Sequence, residues 1–370
     1  MMIPYIEILK WNDSQTALEP YFLIEPSQFW GELSYFETGA FEIYAPATKN
    51  NLQLEKGQFV KIPNKPYLWY ITSIQYEFNA DGARMVDAQG YEAKWIVSKR
   101  IIRDPLQLPS DLRGAMALLF DLNIGGSVNI PQRQIKGLNY DFGACEGKDT
   151  EAQATRGNLY EYASNLLKLH KIGAYSPIMG GKVVYKAISG ADKTESVVFS
   201  QSMDNLISAT YYTSDETKKT HCQIVSSFSE TTGSGTVRTT ISNEYVSYYP
   251  NESEGAGGIN RDEMTLSSNL STKVKQEDGT EIEIDPNSET FSNMQKSEGA
   301  GALAERMSVV NFNAQIDLQY SHYKFGEDFF IGDLVKVRDE YFGYEATARI
   351  LKYTFRQDAS GYGEEAEYGS

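Results

Sequence analysis

The 370-residue sequence predicts a mainly β fold with an α/β insert: two related small β-barrel domains, an inserted α/β domain and a β-arm. Three observations carry this. Short runs of alternating apolar and polar residues, broken by turn residues, crowd both ends of the chain. One stretch between them switches to helical spacing. The first and last β-regions also match one another in order. The expected division is a first β-barrel domain at 1–104, an α/β domain at 105–205, and a second β-barrel domain at 206–370 with an inserted arm at about 250–310.

The elements follow along the chain. Residues 22–24 form a short strand, and 39–46 alternate in period two until Pro46 stops them. The run 57–63 does the same. Residues 68–78 are a long aromatic and β-branched run that ends in Asn79-Ala80-Asp81-Gly82, a hairpin signal, and 84–90 pair back. Beyond Asp104-Pro105, Leu112, Ala115, Met116, Leu119 and Leu122 recur at helical spacing after Ser110, the expected cap. A second helix is predicted at about 158–171. Its apolar stripe is Leu159, Ala163, Leu166 and Leu167; Lys168, His170 and Lys171 suit its negative end, and Gly173 closes it. Strands at 182–187 and 196–199 complete the unit.

The β pattern returns at 206–213, 222–228 and 236–249, with Gly233-Ser234-Gly235 as a loop tip. Residues 250–300 are polar and acidic. Gly255-Ala256-Gly257-Gly258 is a flexible loop, and Asp278-Gly279 is a two-residue turn between strands at 272–277 and 280–284, together a projecting arm. A helix is expected at about 301–309, with Leu303, Ala304, Met307 and Val310 on one face, before strands at 312–320, 334–337 and 346–355.

The repeat is the most informative feature. Gly57-Gln58-Phe59-Val60-Lys61-Ile62 matches Gly332-Asp333-Leu334-Val335-Lys336-Val337, and 71–78 matches 348–355. Each copy then has a Gly-containing turn, Asp81-Gly82 or Ser360-Gly361, and runs to a glycine, Gly90 or Gly369. Alternating β-branched and aromatic residues are common to all sheets; four features in one order are not. Phe59, Val60, Leu334 and Val335 are the expected packing residues. Three copies of such a chain present six near-equivalent modules, which suits a trimer stacked on a six-fold ring.

Composition narrows the function. Asp and Glu number 50 against 34 Lys and Arg, a net charge of −16 that disfavours general nucleic-acid binding. Tyrosine, 25 against 4 tryptophans, points to half-buried sheet positions and to interfaces. The N-terminus has no basic region followed by an apolar stretch, and no run approaches the roughly 20 apolar residues of a membrane span, so neither a secretory leader nor stable membrane insertion is expected. Two cysteines, Cys145 and Cys222, make no disulfide framework.

A search for chemistry finds none, and the chain is expected not to be an enzyme: no catalytic, cofactor-binding or metal residues are assigned. The three histidines, His170, His221 and His322, fit no zinc-helix motif. His170 suits a helix C-terminus. His221 and Cys222 are adjacent in a strand and point to opposite faces. Nothing local pairs Cys145 with a histidine as a nucleophile. Gly233-Ser234-Gly235 is no phosphate cradle. The Asp278-Gly279 region has Val274 and Gln276 where a calcium loop needs carboxylates. Glu281, Glu283 and Asp285 share a strand face, read as a solvated hairpin.

Several segments resemble the siphophage tail-hub proteins, the tail-associated (Tal) N-terminal family. Ser34-Tyr35-Phe36-Glu37-Thr38-Gly39-Ala40-Phe41-Glu42-Ile43 and 57–62 resemble its opening; Gly90-Tyr91-Glu92-Ala93-Lys94-Trp95 through Arg100-Ile101-Ile102 resemble the segment that leaves its first barrel. Residues 189–194, 197–200 and Asn205-Leu206 resemble a middle signature, and Ala302-Leu303-Ala304-Glu305 and Gly332-Asp333 its close. The family is similar to the baseplate hubs of contractile phage tails. The resemblance implies a homotrimeric structural ring at the distal tail tip of a virion, made in the host cytoplasm. It closes the tail tube, adapts six-fold to three-fold symmetry and opens for DNA ejection. The implied partners are the hexameric distal tail protein, the tape-measure protein, and tail-tube or receptor-binding components, with DNA passing through without specific binding. Many relatives continue into a receptor-binding or wall-degrading region; this sequence stops soon after its second β-region, so that activity is not carried over. The alternatives are a glycan-binding baseplate component and a tail-associated peptidoglycan hydrolase.

Overall fold

The computed structural model describes residues 5–78, 82–232, 239–276, 279–316, 322–341 and 343–369. The fold is mainly β with a small helical insert. Thirteen strands form one sheet. Along the chain they are β1 (Ile6–Trp11), β2 (Leu18–Ile24), β3 (Gln28–Ser34), β4 (Ala40–Pro46), β5 (Phe59–Lys61), β6 (Trp69–Phe78), β7 (Arg84–Glu92), β8 (Val198–Ser200), β9 (Leu206–Ser214), β10 (Val309–Ile316), β11 (Leu334–Asp339), β12 (Tyr344–Asp358) and β13 (Gly361–Gly369). Their order is β9-β10-β13-β12-β3-β4-β7-β6-β5-β1-β2, with β11 on β12 and β8 parallel to β11. The hairpin residues 79–81 and the loop tip 233–235 lie outside the described residues, as does Asp278 of the expected arm turn.

The two β-regions expected as separate units are strands of this one sheet and share one core. Alternation drives it. Phe29, Gly31 and Leu33 face inward on β3, while Gln28, Trp30 and Glu32 face outward. At the join, Tyr67 stacks on Phe355 (centroids 5.8 Å apart), Trp69 meets Phe355 edge-on, and Phe325 lies flat on Tyr353 at 3.7 Å. Burial of each such phenylalanine contributes about 1.5–3 kcal/mol.

The insert packs α1 (Leu112–Asn123) and α2 (Leu159–Leu169) on a small sheet in which Leu138–Asp141 runs parallel to Lys182–Ile188. Its core includes Leu112, Met116, Phe120, Leu166, Val183 and Tyr185, joined by Leu9 and Phe59 of the main sheet and by Leu68 just before β6. The acidic stretch has a third core: Leu270, Val274, Ile284, Phe291 and Met294. It is stitched to the insert by Lys273–Lys275, whose Lys275 pairs with Leu106, and by Gln153, whose amide bonds the Ser271 backbone in both directions (3.0 and 2.8 Å).

Three local expectations need correction. The cap of α1 is Asp111, not Ser110: its carboxylate accepts the Gly114 N–H at 2.6 Å. Gly173 does not close α2. The chain turns at Lys171, in the left-handed region (φ 56°), and Gly173 starts a strand. The third helix, α3, is Glu289–Ala304 rather than 301–309; Met307 is 63% exposed. Its buried side mixes Phe291 and Met294 with Gln295 and Gly299, so apolar spacing does not mark it. Gln295 instead bonds Ser226 Oγ, Ser247 Oγ and the Tyr245 carbonyl of the neighbouring strands (2.9, 2.7 and 2.9 Å).

Tyr35 joins the three parts. Its backbone N–H donates to Leu351 of β12 and its carbonyl accepts from Ala174 of the insert (2.8 and 2.9 Å). Its hydroxyl lies 2.9 and 3.0 Å from the Lys171 and Ile188 carbonyls. Its ring lies against Gly332, where an added Cβ would come within 2.2 Å of Cε2, and Gly332 itself has φ +92°. Gly332→Ala is therefore expected to destabilise the chain by about 1–3 kcal/mol, read as a lower urea midpoint at unchanged slope. An unchanged midpoint would show that Tyr35 yields without cost.

Candidate functional site

The repeat is present in the backbone. Gly57 and Gly332 both take left-handed φ, +98° and +92°. The Gly57 N–H donates to the Ile71 carbonyl and the Gly332 N–H to the Ile350 carbonyl (2.9 and 2.8 Å). The return bonds match: Ile71 N–H to the Gln58 carbonyl and Ile350 N–H to the Asp333 carbonyl (2.9 and 3.0 Å). The side chains of Gln58 and Asp333 are both buried and do the same work. Each accepts the backbone N–H three residues earlier, from Glu55 (3.1 Å) and Phe330 (2.8 Å). Each long strand then shifts register, between Ile71 and Ser73 or between Ile350 and Lys352.

These bonds place Ile71 on Ile350, two residues from the sequence match that set it on Ala348. An even slip keeps every side chain on its face, so alternation alone cannot detect it. Gly90 likewise corresponds to Tyr368, not Gly369: Gly90 faces Ile71 and Tyr368 faces Ile350. The correspondence runs on through the sheet. Phe41 of β4 faces Gly90 and Gly31, as Phe312 of β10 faces Tyr368 and Tyr211. Thus β3, β4, β7, β6 and β5 match β9, β10, β13, β12 and β11.

One pairing lacks its counterpart. The far half of β12 pairs with β3 from Lys352↔Ser34 to Gln357↔Phe29. The matching half of β6, 73–78, has β7 on one side and, among the described residues, no strand on the other. Among the described residues β9, the match of β3, pairs with β10 alone. Both open edges carry exposed aromatics: Tyr76 (56%) and Phe78 (71%) on β6, Tyr211 (44%) and Tyr212 (53%) on β9. Phe355, the match of Tyr76, is fully buried because β3 lies beside its strand.

The solvent face of the same strands is acidic. On β3, β4, β6, β7, β13 and the far half of β12, Glu32, Glu42, Glu77, Asp87, Glu365 and Glu367 outnumber Lys352 and Arg356 among the described side chains. Partial burial, then Glu42 and Glu77 beside it, hold Asp87 above the usual carboxylate range. Burial raises Glu32 too, against the pull of Lys352.

The residues singled out for chemistry lie apart. His170 sits at the C-terminal cap of α2, where burial and then Lys148 lower its pKa. His221 is held by Thr220 Oγ1 (2.9 Å) and the Glu254 carbonyl (2.8 Å), and His322 is exposed. Cys145 and Cys222 are free and buried, and burial pushes the Cys145 thiol up to about 12, far from the low pKa of a reactive thiolate. Glu281, Glu283 and Asp285 are exposed, and among the described residues no three His, Cys, Asp or Glu converge as a metal site. Phe59, Val60 and Val335 are fully buried and Leu334 is half-buried. Val60 and Val335 lie in the core that the two modules share and Phe59 in that of the insert. The edge aromatics belong to no motif; the tyrosine excess and the aromatic tail of 68–78 are their signals in the sequence.

A family model described as Siphovirus ReqiPepy6 Gp37-like protein matches residues 27–370. Among solved structures, the tail protein from Neisseria meningitidis MC58 is similar at 10% identity and a TM-score of 0.55, covering 99% of this chain and 96% of that one. The 43 kDa tail protein of prophage MuSo2 from Shewanella oneidensis is similar at 12% identity and 0.54, covering 98% of each. Prophage tail protein gp18 from Listeria monocytogenes EGD-e follows at 13% and 0.52, covering 99% and 94%. No curated protein sequence matches.

Proposed function

The chain belongs to the Siphovirus ReqiPepy6 Gp37-like protein family, and from that premise we propose that it is a non-enzymatic hub at the distal tip of a phage tail. Three copies form a ring of six matching modules. The ring closes the tail tube, stacks on the hexameric distal tail protein, adapts six-fold to three-fold symmetry, and opens to release the tape-measure protein and DNA. Each chain reads as a first hub module (1–104), an α/β insert (105–205) and a second hub module (206–370) with an arm at about 250–310.

The observation that carries this is the missing counterpart of the β12–β3 seam. Applied between chains, the same pairing sets β6 of one copy against β9 of the next. The seam also dictates the register: Ser73↔Ser214, Gln75↔Tyr212 and Tyr76↔Tyr211. Such a contact joins two different edges of the same chain, so it propagates head to tail and closes into a ring when the rotation allows. It covers Tyr76 and Tyr211 on the inward face and leaves no sheet edge open there. The acidic face would then line the passage, where carboxylates repel DNA and let it slide. A passage lined mainly by Lys and Arg would overturn that part.

The test joins Gln75→Cys and Tyr212→Cys in one chain. Directly opposed residues lie close, about 5 Å between Cβ atoms, and diagonal ones farther, about 7–8 Å. A short bismaleimide should cross-link this pair into a ladder ending at three chain masses. The slipped pair, Ser73→Cys with Tyr212→Cys, should cross-link more slowly. A strict monomer, with and without the distal tail protein, would overturn the ring.

A further inference from the structure

We propose that a groove between the insert and the acidic stretch binds a short acidic, aliphatic peptide segment of a neighbouring protein. Two adjoining cavities of 460 and 530 Å³ share Asp104, Pro105 and Lys275. Arg103 and Arg133 line the first, Arg156 and Lys273 the second, and Arg100 lies behind Arg133. In a chain of net charge −16, five cations, Arg103, Arg133, Arg156, Lys273 and Lys275, line the two cavities against two acids, Asp104 and Glu281. Lys275 is paired with Asp104 at 3.0 Å. Among the described residues no carboxylate lies within ion-pair distance of Arg100, Arg103, Arg133 or Arg156. Burial, then the facing charges of Arg103 and Arg100, lower the pKa of Arg133.

The guanidinium groups are fixed by the backbone. Arg100 Nε donates to the Arg133 carbonyl (2.7 Å), Arg133 Nη2 to Ile101 (2.6 Å) and Arg156 Nε to Arg103 (2.8 Å). Each keeps further N–H groups for a planar acceptor such as a carboxylate. The lining also selects the class of ligand. Ile102, Leu106, Leu122 and Ile130 form an aliphatic floor, and neither cavity has an aromatic side chain. Bases and sugars are gripped by stacking on aromatic rings, so the groove is poorly suited to nucleic acid. A long polyanion would also meet the repulsion of the whole chain. A segment alternating glutamate with leucine satisfies both the cations and the floor.

The test uses the full chain and a fluorescein-labelled ten-residue peptide of alternating glutamate and leucine, read by anisotropy. Binding should weaken at least tenfold from 50 to 300 mM salt, and at least tenfold when glutamine replaces glutamate. Arg103→Gln with Lys273→Gln, both exposed, should weaken it at least tenfold at an unchanged melting temperature. No binding, or equal binding by the double variant, would overturn the proposal. Tighter binding of a ten-residue oligothymidylate would overturn it in favour of nucleic acid. The ring plays no part in this readout, so either proposal can fail alone.

Discussion

Lys94→Ala is expected to destabilise the chain by about 3–5 kcal/mol, because it strands a buried carboxylate. The Lys94 and Glu92 side chains are each 1% exposed, with Nζ 3.1 Å from Oε2. Lys94 also donates to the Ala174 carbonyl at 2.6 Å and to that of Ser34, which ties the insert to β3. Glu92 Oε2 accepts the Ser34 and Gly39 N–H groups (3.0 and 3.1 Å) and so shapes the turn into β4. Among the described residues its other oxygen, which is buried, has no hydrogen-bond partner. Burial pushes Glu92 up and Lys94 down, each against the attraction of the other. Without the cation, nothing offsets the burial of the acid. The double substitution Glu92→Gln with Lys94→Met removes both charges and should regain more than half of the loss, since apolar replacement of a whole buried pair is often near neutral. Urea unfolding of the three proteins decides. A single-variant cost below about 1 kcal/mol would show that the site relaxes or admits water.

Tyr76→Lys combined with Tyr211→Lys should abolish the ring while leaving the fold. Both side chains are exposed in the single chain, and Tyr211 keeps a contact of its own there, so the cost to stability should stay at about 1 kcal/mol or below. In the proposed ring they sit directly opposite. There, an aromatic pair worth about 0.5–1.5 kcal/mol gives way to two like charges, which destabilise directly opposed strands. The change recurs at all three interfaces. At about 1.4 kcal/mol for each factor of ten, a loss near 2 kcal/mol per interface weakens closure by more than a thousandfold. Tyr76→Glu with Tyr211→Lys should restore part of the assembly by pairing opposite charges. Sedimentation would show monomer, then partial trimer. Full assembly of the double-lysine chain would refute this register.

Period-two alternation suffices to reveal the β-regions, and helical spacing locates α1 and α2. α3 escapes both rules because its buried face is held by Gln295 and relieved by Gly299, polar and small residues whose role exists only against the neighbouring strands. The repeat is legible because its corner depends on local chemistry: a glycine free to take positive φ, then a side chain that accepts the N–H three residues back. Its register along the long strands is not, since a slip of two leaves the pattern of faces unchanged. The arginine groove is invisible in sequence for a similar reason. Arg103, Arg133 and Lys273 are scattered along the chain and meet only after the insert and the acidic stretch pack.

The sequence by itself determined the kinds of element, the duplicated corner and the acidic character, because these follow from each residue and its near neighbours. Only the tertiary structure decided that β12 pairs with β3 and that β6 and β9 keep open edges. Strand partners are chosen by long-range hydrogen bonds and core packing, to which the local pattern is indifferent.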